Sequence, residues 1–153
     1  MEKVRGFEIA KDYEDKKINL PERKTKSSAG YDFESAEDVI IPPYKPGIKP
    51  TLVKTGIKSY FPENEVLILA NRSSNPMKKG LVLANSIGVI DSDYYNNIDN
   101  DGHIMFAFYN FSDKDTKITK GDTIGQGIFL NFLTSDNDSA NGTRIGGFGS
   151  TSK

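Results

Sequence analysis

Thr51-Leu52-Val53-Lys54-Thr55-Gly56-Ile57-Lys58-Ser59-Tyr60-Phe61-Pro62-Glu63-Asn64-Glu65-Val66-Leu67-Ile68-Leu69-Ala70 decides the fold class. Two apolar runs flank a Pro-Glu-Asn turn, and Gly56 interrupts the first of them. Short runs bounded by Gly, Pro and Asn read as strands. Residues 51–61 are then one long strand or a strand pair, and Glu65–Ala70 is another. The same pattern continues outward, with short strands expected at residues 4–9, 38–41, 81–84, 86–90, 103–110, 115–118 and 123–132. Turns are marked by Pro42-Pro43, Pro46-Gly47, Asn100-Asp101-Gly102 and Lys120-Gly121-Asp122. Many closely spaced strands predict an all-β sandwich or barrel rather than a βαβ fold. Only Asn75–Lys79 suggests a helical turn, with Pro76 suited to its first position.

Val66-Leu67-Ile68-Leu69 and residues 104–108 are continuously apolar, as strands buried on both faces are. In a chain of 153 residues, the second buried face can lie against another subunit. A chain of this length is most simply one domain. The sixteen aromatics (seven Tyr, nine Phe) and a 36% hydrophobic content oppose general disorder.

Composition also removes several kinds of chemistry. The chain has no cysteine, so disulfides, thiolate zinc sites and cysteine nucleophiles are excluded. A single histidine, His103, disfavours a serine–histidine triad and a histidine metal cluster; it reads as structural. The net charge of −1 argues against a dedicated nucleic-acid binder. No apolar run is long enough for a membrane span and residues 1–10 carry no signal-peptide core, which predicts a cytoplasmic protein.

Five segments carry polar and aromatic groups in combinations that suit a phosphorylated ligand. Gly88-Val89-Ile90-Asp91-Ser92-Asp93-Tyr94-Tyr95 sets two acids beside two rings. Alternation along an extended strand would put Asp91 and Asp93 on one face, so parity does not choose between them. Ala29-Gly30-Tyr31-Asp32-Phe33 places an acid between aromatics, in what reads as a turn into a strand. Asn71-Arg72-Ser73-Ser74-Asn75-Pro76 offers a guanidinium fork, two hydroxyls and the free N–H groups of a helix start, an oxyanion cradle. Gly121-Asp122-Thr123-Ile124-Gly125-Gln126-Gly127 is a glycine-rich strand, a sign of a bulge or a close approach. Gly146-Gly147-Phe148-Gly149-Ser150-Thr151 ends a stretch, residues 134–153, that contains four glycines and cannot build a core of its own. There is no P-loop and no dinucleotide fingerprint. A polyphosphate would be held by separate segments, with help from Mg²⁺, which keeps much of its water and binds through substrate phosphates.

In this order and spacing, the five segments resemble the motifs of the trimeric dUTP pyrophosphatases (dUTPases), over about residues 25–151. The stretch beginning Arg72-Ser73-Ser74-Asn75-Pro76 is most similar to members from Gram-positive bacteria and their phages. Two departures stand out: Thr143 occupies the place where the fifth motif often carries arginine, with Arg144 one position later, and Ser152 replaces its usual closing glycine.

The resemblance implies an all-β jelly-roll-like barrel or sandwich over residues 1–133. It also implies a flexible C-terminal arm, 134–153, that closes over a neighbouring subunit's site in a homotrimer. The implied reaction is dUTP plus water to dUMP and pyrophosphate, keeping uracil out of DNA and supplying dUMP for dTMP synthesis. The implied roles follow residue by residue. Asp91 is the general base, and Tyr94 lies against the deoxyribose. Asn85 and the backbone near Gly88 read uracil from a hairpin around residues 83–90. Arg72, Ser73, Ser74 and Gln126 contact phosphate, and Arg144 is a further phosphate candidate. Asp32 reaches Mg²⁺ through water. Phe148 stacks on the base while Gly149 and Ser150 wrap the triphosphate. Asp93 and Tyr95 are supports. A dCTP deaminase of related fold fits the Asp91/Tyr94 pair and the glycine-rich arm less well. The loop 95–102 is longer than in many members and has no evident part in the chemistry. It is where a regulatory protein partner of a phage-encoded enzyme would be sought.

Overall fold

The structure, a computed structural model of the chain, describes residues 2–147. Eleven strands account for the order of the described chain: β1 Gly6–Ile9, β2 Tyr31–Glu34, β3 Val39–Ile41, β4 Thr51–Lys54, β5 Ile57–Tyr60, β6 Glu65–Ala70, β7 Leu81–Leu83, β8 Gly88–Asp91, β9 Met105–Asn110, β10 Thr116–Ile118 and β11 Thr123–Asn131. All named ladders are antiparallel. They form a four-stranded sheet β2-β11-β6-β8, a three-stranded sheet β4-β9-β7 and the pairs β1-β5 and β10-β3. None of these sheets closes on itself among the described residues, so the jelly roll takes its sandwich-like form rather than that of a sealed barrel.

The stretch 51–61 is a strand pair. Gly56 breaks it because φ there is +72°, and a Cβ would sit 3.0 Å from the Tyr13 ring. The two halves then enter different sheets, β4 against β9 and β5 against β1. Thr55 Oγ1 donates to the Ile104 carbonyl, so the polar group buried at this corner is satisfied.

Between the sheets lies a core of Phe33, Phe106, Phe108, Ile41, Ile57, Leu67, Leu81 and Ile104. Strand β6 shows how the pattern resolves. Leu67 and Leu69 are buried in this core, whereas Val66 and Ile68 are only half-buried on the opposite face. Register places Ile128, Leu130 and Val89 beside them on that outer face, where Val89 is 57% and Leu130 49% exposed. The continuous apolar run therefore serves one internal face and one outward face.

Two expectations about local geometry are corrected. Residues 83–90 do not make a paired hairpin: β7 pairs with β9 while β8 pairs with β6, so the segment is a corner that crosses between sheets. Ser86, at φ +59°, makes this turn possible, and Ile87 N–H donates to the Asn85 carbonyl. Nor does the strand alternate through Asp93. It ends at Asp91, and Ser92–Tyr94 form a single 3₁₀ turn. The turn rotates Tyr94 into the core, where it is 5% exposed.

Asn75–Lys79 is a one-turn π-helix with Pro76 in its first turn and Gly80 in the left-handed region at its end. Arg72, Ser73 and Ser74 immediately precede it.

Candidate active site

Asp91 ends β8 and Tyr94 ends the following turn, so two residues of chain separate an acid from a ring. Both line a cavity of about 140 Å³ together with Asn85, Gly88, Ile90 and Arg144. Gly88 is required there by close packing, since a Cβ would lie 2.9 Å from Leu69 Cβ. The wall next to Asp91 is thus kept low by a glycine. Asn85 is exposed at the corner, with its side chain available to a ligand edge.

Tyr94 is held by its hydroxyl. It donates to the His103 carbonyl at 2.6 Å and accepts from Asn100 Nδ2 at 2.9 Å. Burial pushes the Tyr94 phenol up from its ordinary value. His103 is buried behind it and accepts a hydrogen bond from Gly56 N–H at Nε2, 2.9 Å. That bond needs the neutral ring, and burial followed by the charge of Lys54 lowers the His103 pKa to about 4. His103 is therefore structural, as its place in the sequence suggested.

Arg144 reaches into the same cavity from the C-terminal segment. Its side chain is only 9% exposed; Nη2 lies 2.7 Å from Asp91 Oδ2 and Nε 2.7 Å from Asp93 Oδ1. Its guanidinium lies 5.8 Å from the centre of the Tyr94 ring. The acids that parity could not separate are joined by one arginine. Gly147 follows, buried, with its N–H 3.3 Å from Asp99 Oδ2.

A second group gathers at the far end of β6. Gln126 on β11 is opposite Asp32 on one side and Ala70 on the other. Its Nε2 donates to the Asn71 carbonyl at 3.1 Å. Gly30 packs under this amide: a Cβ there would lie 2.0 Å from Gln126 Oε1. Three of the sequence segments, around Gly30, Asn71 and Gln126, therefore meet. Arg72 Nη1 donates to the Thr123 carbonyl at 3.2 Å, which ties the guanidinium to β11. Ser73 is exposed and Ser74 half-buried beside the π-turn.

The two groups are not adjacent within the chain. Asp91 is opposite Val66 and Gln126 opposite Ala70, at opposite ends and on opposite edges of β6. Four residues of strand and two strand spacings put their backbones roughly 15 Å apart. Asp32 faces a different hollow, lined also by Glu22, Lys24 and Glu34. Among the described residues no three His, Asp or Glu side chains converge as a ready metal cage. Phe148, Gly149 and Ser150 lie outside the described residues.

The loop 95–102 has a structural part of its own. Asn97 Oδ1 accepts from the N–H groups of Asp99 and Asn100, and Asn97 Nδ2 donates to the Tyr94 carbonyl. Asp101 accepts from Lys11 N–H and from Lys58 Nζ. Tyr95 donates to Glu8 at 2.5 Å, and burial together with that carboxylate raises its phenol to about 12. The legible signal was the density of short amide and acid side chains in Asn96-Asn97-Ile98-Asp99-Asn100-Asp101, which favour such self-bonded turns.

The dUTPase family profile matches residues 16–152. The chain belongs to the dUTPase family. It is 51% identical over 151 residues to the deoxyuridine 5'-triphosphate nucleotidohydrolase of Lactococcus lactis, covering 97% of this chain and 98% of that one. The crystal structure of dUTPase from Streptococcus mutans superposes with a TM-score of 0.80 at 47% identity, over 86% of this chain and 99% of that one. The dUTPase from phage phi11 of S. aureus shares the fold, with a TM-score of 0.72 at 21% identity over 92% and 97% of the two chains. The chain is accordingly a dUTP diphosphatase, a hydrolase of nucleotide metabolism. Among its described residues no helix is long and apolar enough to cross a membrane.

Proposed function

We propose that this dUTPase hydrolyses dUTP by using Asp91 to activate water for attack on the α-phosphorus. The observation that carries the reading is the meeting of Asp91, Tyr94 and Arg144 around one cavity. The Asp91 carboxylate takes a proton from water as the water oxygen bonds to the α-phosphorus. The bond from that phosphorus to the bridging oxygen of the β-phosphate breaks, and pyrophosphate carries the electron pair away. A placed carboxylate contributes about 10²–10⁴ in rate.

Tyr94 is the sugar-facing wall. Its hydroxyl is fully engaged, so the ring cannot swing aside to admit a 2′-hydroxyl. Asn85 and the backbone beside Gly88 read the uracil edge from the corner between β7 and β8. Arg72, Ser73, Ser74 and Gln126 bind phosphate oxygens, and Arg144 adds a positive charge beside Asp91. Phe148, Gly149 and Ser150 continue the arm over base and phosphates.

Asp32 offers hard carboxylate oxygens next to Gln126, the donor type that suits Mg²⁺. With no protein cage among the described residues, Asp32 would hold the ion through water. When bound, the ion neutralises charge on the triphosphate. The protein's own part at this end is orientation, supplied by Gln126 and Arg72.

The separation of the two groups along β6 favours a shared site. One α-phosphate cannot touch both Asp91 and Gln126 of the same chain at roughly 15 Å. A homotrimer would let one subunit's Arg72, Ser73 and Gln126 face another's Asp91 and Tyr94. The half-exposed apolar row Val66, Ile68, Val89, Ile128 and Leu130 supplies a surface that another copy can cover. Residues 134–153 then act as an arm that closes over a neighbouring subunit's site.

A pyrophosphate-release assay with dUTP, UTP, dTTP and dCTP in the presence of Mg²⁺ tests this reading. Release from dUTP alone is expected; equal release from UTP would remove Tyr94 as the sugar wall. Ammonia release from dCTP would instead indicate a deaminase.

A further inference from the structure

Asn75 opens the π-turn after the Arg72 corner, yet it is only 2% exposed. Its Nδ2 donates to Asn71 Oδ1 at 2.8 Å and to the Ile124 carbonyl at 3.0 Å. Asn71 Oδ1 also accepts from Arg72 N–H at 2.9 Å, and Asn71 Nδ2 donates to the Leu81 carbonyl at 3.0 Å. These partners fix the orientation of both amides. The Asn75 N–H closes the corner by donating to the Arg72 carbonyl at 3.1 Å.

Ile124 is where β11 departs from regular pairing. Thr123 is opposite Glu34 and Gly125 opposite Phe33, so Ile124 is an extra residue, a β-bulge. The bulge breaks the alternation of faces: Ile124 and Gly125 are both buried, and Gln126 is left half-buried on the outer side. A glycine is needed at the break, since a Cβ on Gly125 would lie 2.3 Å from the Phe106 ring. The Thr123 carbonyl accepts from Arg72 Nη1 and the Ile124 carbonyl from Asn75 Nδ2. Two side chains of one corner therefore grip two successive carbonyls at the bulge. Two residues further along β11, Gln126 Nε2 donates back to the Asn71 carbonyl, which completes the ring of bonds.

We propose that Asn75 is a positioning residue that locks the β11 bulge to the Arg72 corner, so that Arg72 and Gln126 act as one phosphate clamp. The proposal rests on the reading of Arg72 and Gln126 as phosphate contacts. Asn75 itself is buried beneath them and acts only through them. Members of a buried polar network depend on one another, and a small displacement of a positioned group costs rate out of proportion to its size. Loss of the Asn75 amide therefore loosens both phosphate contacts together and leaves the recognition of base and sugar as it was.

The test measures kcat and KM for dUTP in the full-length enzyme, together with the inhibition constant of deoxyuridine, which carries base and sugar but no phosphate. Gln126→Ala comes first: if its kcat/KM for dUTP stays near wild type, the reading of Gln126 as a phosphate contact itself fails, whatever the Asn75 variants do. Given a loss there, Asn75→Ala is expected to lower kcat/KM for dUTP on the order of tenfold, with the deoxyuridine constant unchanged. Combined with Gln126→Ala, it should lose less than the product of the two separate losses, because both act on one clamp. Asn75→Ser returns a single hydroxyl donor and should show a smaller loss of the same kind. Should Asn75→Ala fail to fold, Asn75→Ser carries the same measurements and decides. Wild-type kcat/KM in the Asn75 variants, an equal weakening of deoxyuridine, or full additivity with Gln126→Ala would each overturn the proposal.

Discussion

Arg144 Nη2 lies 2.7 Å from Asp91 Oδ2, and Nε of the same side chain lies 2.7 Å from Asp93 Oδ1. An arginine from the C-terminal segment therefore reaches the carboxylate assigned as base, although it stands one position after the place where the family's fifth motif often carries one. The two carboxylates are 52% and 58% exposed, so these pairs themselves contribute about 1 kcal/mol or less. As the phosphate contact proposed for it, Arg144 supplies a charge-assisted bond of about 1.5 kcal/mol, and Arg144→Gln should raise KM for dUTP roughly tenfold. Initial-rate measurements at low and moderate ionic strength check this; an unchanged KM would remove Arg144 from the site.

Deletion of residues 141–153 removes Arg144 and Gly147 but no strand. The core residues all lie before residue 130, so the assembly should remain that of the full-length enzyme in sedimentation. Turnover should fall strongly, because closure of an arm excludes water and strengthens the charge interactions it covers. Dissociation to monomers on deletion would mean that the segment holds subunits together instead of covering the site.

Gly30→Ala probes the phosphate end. The added methyl meets Gln126 Oε1 at 2.0 Å and Cδ at 2.9 Å, so the amide must leave the Asn71 carbonyl. The group met most closely is the far end of a flexible side chain, and the loss of fold stability should stay within about 1 kcal/mol. The kcat/KM for dUTP should fall about tenfold, as expected from the loss of one positioned donor. A variant with wild-type kcat/KM would remove Gln126 from phosphate binding.

His103 gives the fold a pH dependence with a defined sign. Its folded pKa, about 4, lies below the ordinary value near 6.5. The unfolded chain therefore binds a proton at this site before the folded one does, and stability falls with decreasing pH between about 6.5 and 4. The contribution is on the order of 3 kcal/mol when fully lost. Glu65, lowered chiefly by its hydrogen bonds to Arg5, loses its contribution at still lower pH, in the same direction. His103→Asn should flatten the slope between pH 6.5 and 4 in chemical denaturation curves. A slope equal to wild type would place the titration elsewhere.

Most of the architecture was legible because short strands and their turns leave local marks. Gly56, Pro62-Glu63-Asn64 and the apolar run of β6 carry their own boundaries, and Asn75–Lys79 announced its turn through Pro76. What was not legible depended on pairing at a distance. Nothing local says that β7 joins β9 while β8 joins β6, so residues 83–90 read as a hairpin. Nothing in the spacing of Asp91 and Asp93 says that the strand stops between them, because the 3₁₀ turn is held by Tyr94 reaching His103 and Asn100. The candidate site residues were assigned by their motif order, and the loop 95–102 fell outside it. Its structural part lies in the bonds that Asn97 and Asn100 make to Tyr94.

The central claim is that Asp91 takes the proton from the attacking water. Asp91→Asn keeps the size of the side chain and removes its basicity. Single-turnover pyrophosphate release and equilibrium binding of dUTP, measured on the same preparation, test the claim directly. The account predicts a loss of about 10²–10⁴ in hydrolysis rate with dUTP binding still measurable. Hydrolysis within a few-fold of wild type would contradict it.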